Sequence, residues 1–120
     1  INWTEGEKHF RNCLLDFNKA NNVAQWQWVA GCGADAAPYF RIFNPILQGE
    51  KFDKEGIYVK KWVPELKKVP SKFIHKPWEM ELKYQQEINT LIGKDYPKPI
   101  VVHEEARASA LKAFQSLKKK

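Results

Sequence analysis

Cysteine is scarce: only Cys13 and Cys32 occur among 120 residues. Neither has a His or Cys at metal-ligand spacing, which argues against zinc, and no metal site is expected. Two isolated thiols without a disulfide framework fit a reducing compartment. No apolar run is long enough to span a bilayer, and no signal-peptide pattern appears; if the source is bacterial, a cytoplasmic location is expected. There is no internal repeat, coiled-coil heptad or alternating strand pattern. A search for Ser/His or paired-carboxylate constellations also finds nothing, so hydrolytic chemistry has no obvious machinery here. The first residue is Ile1 in place of Met, so the chain is expected to be a piece of something longer.

What is present is aromatic and basic. Apolar residues make up 43% and aromatic residues 13%, which argues for a folded chain over a disordered tail. Five tryptophans stand at Trp3, Trp26, Trp28, Trp62 and Trp78; such a set suits either a binding site or a well-packed small core. The formal charge of +6 favours anionic partners such as nucleic acid, although the terminal run Lys118, Lys119 and Lys120 accounts for part of it.

Helical periodicity dominates. Phe10, Leu14 and Phe17 predict an amphipathic helix from about Glu5 to Asn18, with Thr4 and Glu7 as a capping box. A second helix is expected over Asn22 to Val29, ended by Gly31 and Gly33. A third is expected to begin at Asp35, to accept Pro38 in its first turn, to carry Tyr39, Phe40 and Phe43, and to stop near Asn44 and Pro45. Gln48 to Gly56 reads as a loop, with Asp53 placed to cap the next helix. Val59, Trp62, Val63 and Leu66 form a stripe that Pro64 interrupts or restarts, Met80 to Ile92 is a further helical candidate, and Glu104 to Leu117 is an alanine-rich helix. The expected fold class is all-α, an irregular multi-helical arrangement with aromatic loops.

Trp26 and Trp28 are two residues apart, so on a helix they point roughly 200° away from each other. Both could be buried between neighbouring helices, or one could meet a ligand. The runs LLDFN (Leu14 to Asn18), WQW (Trp26 to Trp28), DAAPYFRIFNP (Asp35 to Pro45), QGEKFD (Gln48 to Asp53), YVKKWVPEL (Tyr58 to Leu66) and YPKPIV (Tyr96 to Val101), together with Asn22, follow one another in order along nearly the whole chain. In these runs the chain resembles the DNA photolyase/cryptochrome family, and in particular the C-terminal part of the FAD-binding domain of class I cyclobutane-pyrimidine-dimer photolyases. The resemblance implies that residues 1–120 form the C-terminal portion of a helical domain holding FAD. It also implies light-driven repair of pyrimidine dimers in DNA by electron transfer from the reduced flavin, a lyase reaction that needs no general base.

Residue roles come from the resemblance alone. Asp16 matches an acidic residue that salt-bridges a flavin-site arginine upstream of this chain. Asn18 stands where the family often has an aspartate on the N3 side of the isoalloxazine, a departure that removes a charge and can keep a polar contact. Asn22 matches the residue facing flavin N5, where an amide tilts the reading toward repair and an aspartate toward plant cryptochromes. Trp26 and Trp3 match the inner and middle members of a tryptophan chain that reduces photoexcited FAD, whose outer member would lie upstream. Trp28 matches the aromatic wall of the lesion pocket, and Arg41 a basic residue near the DNA-binding surface. His75, in FIHKPW, reads as structural.

The implied partners are damaged DNA and the upstream part of the same protein, which is expected to be a monomer when full length. An antenna chromophore would belong to the missing N-terminal domain. The alternative function is that of a cryptochrome-type flavin photoreceptor without repair activity; Asn22 and the DAAPYFRIFNP run favour repair. The isolated 120-residue piece, lacking most of the cleft, is expected to be inactive.

Overall fold

A computed structural model of the chain describes residues 1–35 and 40–118. Its secondary structure is all-α and irregular; the described residues form no strand, apart from an isolated parallel bridge between Ile92 and Tyr96. The chain divides into two compact units, Ile1–Ile42 and Phe43–Lys120.

The first unit is a helical pair, α1 (Trp3–Cys13) and α2 (Lys19–Ala30). Helix α1 starts earlier than the expected capping box would have it, because Asn2 takes the cap: its Oδ1 accepts from the Thr4 amide at 3.0 Å and from the Thr4 hydroxyl at 2.9 Å. It also ends earlier. Asn18 must be extended (φ −128°, ψ 118°) for its Oδ1 to accept from the Asn21 amide at 3.0 Å and cap α2, so it cannot also continue α1. Leu14 leaves the helix at ψ 128°. Gly31, at φ 71°, closes α2 in the left-handed conformation that glycine adopts without strain. Phe40 to Asn44 is non-helical, which corrects the expectation of a helix carrying Phe40 and Phe43. Ala36, Ala37, Pro38 and Tyr39, the start of that expected helix, lie outside the described residues.

The second unit contains α3 (Pro45–Phe52), α4 (Ile57–Trp62), α5 (Leu82–Glu87) and α6 (His103–Lys118), with 3-10 turns at Pro64–Leu66 and Pro77–Glu79. The Asn44-Pro45 pair opens α3 where a stop was expected: the Asn44 Oδ1 accepts from Ile46 and Leu47 at 3.0 and 3.3 Å, and Pro45 occupies the first helical position. Gln48 to Phe52 is therefore helix, where a loop was expected. Gly49 sits inside α3 because the His75 ring lies on it; a Cβ there would stand 2.8 Å from Cε1. His75 Nε2 donates to the Asp53 carbonyl at 2.7 Å, which agrees with its structural reading. Asp53 caps α4, as expected, accepting from the Tyr58 and Val59 amides at 3.1 Å each. Pro64 does divide the Val59 to Leu66 stripe, and α6 forms over the alanine-rich segment. The expected Met80 to Ile92 helix shrinks to α5 because the Gln85 side chain clamps both flanks: its Nε2 donates to Met80 O at 2.7 Å and its Oε1 accepts from Ile92 N at 2.9 Å. The core is Leu66, Val69, Ile74 and Met80, flanked by Val59, Val63, Phe73, Ile88, Ile92 and Tyr96. Full burial of a side chain of this kind is worth about 1.5–3 kcal/mol.

Candidate functional site

The sequence-predicted site residues all belong to the first unit. Asn22 and Trp26 are one turn apart on α2 and share the face turned to α1. Asn22 is 7% exposed, and its Nδ2 donates to the Glu7 carbonyl at 2.9 Å and to Glu7 Oε1 at 3.3 Å. A carbonyl only accepts, so the amide orientation is fixed, and Oδ1 is left without a hydrogen-bond partner among the described residues. No side-chain nitrogen or oxygen among them is both buried and unpartnered, so Oδ1 reaches open space.

Glu7 is itself buried, 4% exposed, and carries a forked ion pair with Arg11: Nη2 meets Oε2 at 2.6 Å and Oε1 at 2.8 Å, and Nε meets Oε1 at 3.2 Å. This carboxylate joins the outer surface of α1 to the Asn22 amide. The sequence reading assigned Glu7 to a capping box and missed it. The signal was available in the spacing, since Glu7 and Arg11 stand at i, i+4 with the acid N-terminal.

Trp26 lies against α1. Its ring meets Phe10 edge-on at 5.1 Å between centroids and covers the α-carbon of Gly6. A glycine inside a helix costs about 1 kcal/mol relative to alanine, so its place in α1 points to a packing reason. Trp3, half-buried, sits one turn before Gly6 in the first turn of α1. Trp28, on the other side of α2, is 42% exposed. The two tryptophans of WQW therefore face opposite surroundings, as their spacing requires.

Asp16 and Asn18 lie in the connector between the helices. Asp16 is exposed and makes no ion pair or hydrogen bond among the described residues, whereas the Asn18 Oδ1 is occupied with the α2 cap. Arg41 is exposed in the non-helical segment Phe40–Asn44, not on a helix as expected. Trp3, Asn22 and Trp26 are thus gathered at the α1–α2 seam, Asp16 and Asn18 at the entrance to α2, and Trp28 and Arg41 on exposed surface. Elsewhere, a crevice in the second unit lined by Pro64, Glu65, Lys67, Lys68, Asn89 and Thr90 contains none of these residues. Cys13 and Cys32 are both exposed free thiols, and the described residues form no His, Cys, Asp or Glu cluster fit for a metal. No helix among the described residues is long and apolar enough to cross a membrane.

Residues 1–116 match the family described as the FAD binding domain of DNA photolyase. A deoxyribodipyrimidine photo-lyase of Agrobacterium fabrum is 56% identical over 119 residues, which are 99% of this chain and 25% of the relative. Among solved structures, a class III photolyase of Agrobacterium tumefaciens matches with a TM-score of 0.84 at 55% identity, covering 100% of this chain and 25% of that one. A Synechocystis cryptochrome matches with a TM-score of 0.82 at 36% identity, covering 93% of this chain and 23% of that one. The chain spans about a quarter of the length of these relatives.

Proposed function

Because the chain belongs to the family of FAD binding domains of DNA photolyase, we propose that residues 1–120 are the C-terminal portion of such a domain in a deoxyribodipyrimidine photo-lyase. The parent reaction is light-driven repair of cyclobutane pyrimidine dimers in DNA. The observation that carries this reading is the division of labour on α2, with Asn22 and Trp26 on its inner face and Trp28 on its outer face.

The chemistry that bound reduced FAD supplies is light-driven donation of one electron to the dimer and its return after the ring has opened. The side chains present suit a flavin. With its amide hydrogens on Glu7, Asn22 offers Oδ1 as an acceptor, which fits the N–H at N5 of a reduced flavin. Asn18 keeps Nδ2 and one Oδ1 lone pair beside its cap bond, matching an imide edge on which carbonyls flank an N–H. Asp16 keeps its carboxylate for an arginine from upstream.

Trp26, with Trp3 behind it on α1, supplies electrons to the flavin. Trp28 gives a flipped dimer a flat apolar surface that replaces lost stacking, at ~1–3 kcal/mol per base. Arg41 holds a backbone phosphate without reading sequence. The partners are damaged DNA and the upstream part of the same protein, which is monomeric when full length, cytoplasmic if bacterial, and carries any antenna chromophore in its N-terminal domain.

Two specific likenesses favour second readings. The WQW run supports class I, whereas the class III photolyase at 55% identity favours class III as the subclass. The cryptochrome match at 36% identity favours a flavin photoreceptor without repair. The deciding experiment loads the full-length protein with FAD, reduces it, and assays a cyclobutane dimer and a (6-4) photoproduct in parallel under blue light. Repair of the cyclobutane dimer is expected; failure on both lesions would leave the photoreceptor.

A further inference from the structure

We propose that Gly6 is a positioning residue for electron supply: its missing side chain, together with the Phe10 ring, seats the Trp26 indole against α1 on the face that carries Trp3. The proposal rests on the reading of Trp26 and Trp3 as an electron relay. Gly6 lies inside α1, where a glycine weakens the helix, and its usual uses do not apply, since it occupies neither a turn nor a cap. What it permits is contact. A Cβ on Gly6 would stand 2.7 Å from Cζ2 of Trp26 and nearer still to Cη2 and Cζ3, so the six-membered ring lies over the helix backbone. Any side chain would push the ring back by about an ångström, to the ordinary carbon–carbon separation.

Trp3, Gly6 and Phe10 recur at i, i+3 and i+7 and therefore line one face of α1. The Phe10 edge meets the indole at 5.1 Å with the planes at 78°. One turn back along α2, the Asn22 amide is tied to both the carbonyl and the carboxylate of Glu7, which stops α2 from sliding along α1 to relieve a clash. The seat thus has a floor at Gly6, a wall at Phe10 and a fixed register. In the relay, one electron leaves Trp26 for light-excited oxidised FAD, one from Trp3 refills Trp26, and a soluble thiol finally restores the oxidised tryptophan. Transfer between rings falls steeply with their separation, so displacing the Trp26 indole slows it.

The test uses the full-length protein. In the FAD-loaded form, Gly6→Ala should slow photoreduction of the oxidised flavin by thiol by roughly tenfold, given the steep dependence of such steps on placement. Dimer repair by the dithionite-reduced variant and its FAD content should stay near wild type. In the apoprotein labelled with 5-fluorotryptophan, the fluorine resonance of Trp26, assigned by its loss in Trp26→Phe, should shift. Unchanged photoreduction with an unmoved resonance overturns the proposal, as does a parallel loss of FAD and repair, which would mark Gly6 as a packing residue only. If Gly6→Ala does not fold, Phe10→Leu carries the same expectations, and wild-type behaviour there overturns the proposal too. Trp26→Phe separates the premises: photoreduction as fast as wild type removes the relay reading itself. Loss in Trp26→Phe with none in the seat variants removes only the role of Gly6.

Discussion

Trp26 and Trp28 stand two positions apart, one lying on α1 and the other 42% exposed. Replacing them should therefore have different consequences. Trp28→Ala is expected to weaken binding of dimer-containing DNA by about 1–3 kcal/mol while sparing FAD affinity, measured by titration against each ligand. At Asp53 the expected effect is on stability. Burial pushes its carboxyl up, but hydrogen bonds from Tyr58 and Val59 and the charge of His75 outweigh this and hold it below its ordinary 3.8. A lowered folded value adds stability above the ordinary one and loses it as pH falls through the folded one. Amide exchange at Tyr58 and Val59 should accordingly accelerate in acid, and Asp53→Asn should abolish that dependence. The roles of Asp16, Asn18, Asn22, Trp3, Trp26, Trp28 and Arg41 came from resemblance to a family, but the opposed directions of Trp26 and Trp28 were legible in their spacing. Glu7 was not recognised because a side chain that could cap its own helix instead crosses to the next one, a choice made by tertiary packing.

Among the elements, α6 was legible because alanine, an acidic first turn and helical spacing all agree. Helix α3 was not, because Asn-Pro reads equally well as a stop, through the restriction proline places on its predecessor, or as a capped start. The decision rests on Gly49, whose contact with His75 lies across the fold and not in the local sequence. The same competition shortened α1, where Asn18 serves the following helix. Asn18→Ala should thus cost about 1 kcal/mol through loss of the α2 cap, read as faster amide exchange at Asn21 and Asn22. Gly49→Ala should be more damaging, because His75 must move and give up its bond to the Asp53 carbonyl.

For the molecule as a whole, the apolar surface is more informative than the core. Leu15, Val29, Phe52, Ile57 and Tyr58 are two-thirds or more exposed, while the fully buried hydrophobic core is confined to Leu66, Val69, Ile74 and Met80. Exposure on this scale marks surface meant for contact, and it agrees with a chain spanning a quarter of its relatives. The 120-residue chain by itself is expected to bind the dye ANS and to show no light-dependent dimer repair; measurable repair by the purified chain would contradict this. The central claim, that α2 separates electron supply from lesion contact, is tested most directly by blue-light repair of a cyclobutane dimer. The full-length, FAD-loaded and chemically reduced protein is compared with its Trp26→Phe and Trp28→Ala variants. The account predicts repair near wild type for Trp26→Phe and a marked loss for Trp28→Ala with FAD retained, whereas equal loss of repair and cofactor in both would make them core tryptophans and contradict it.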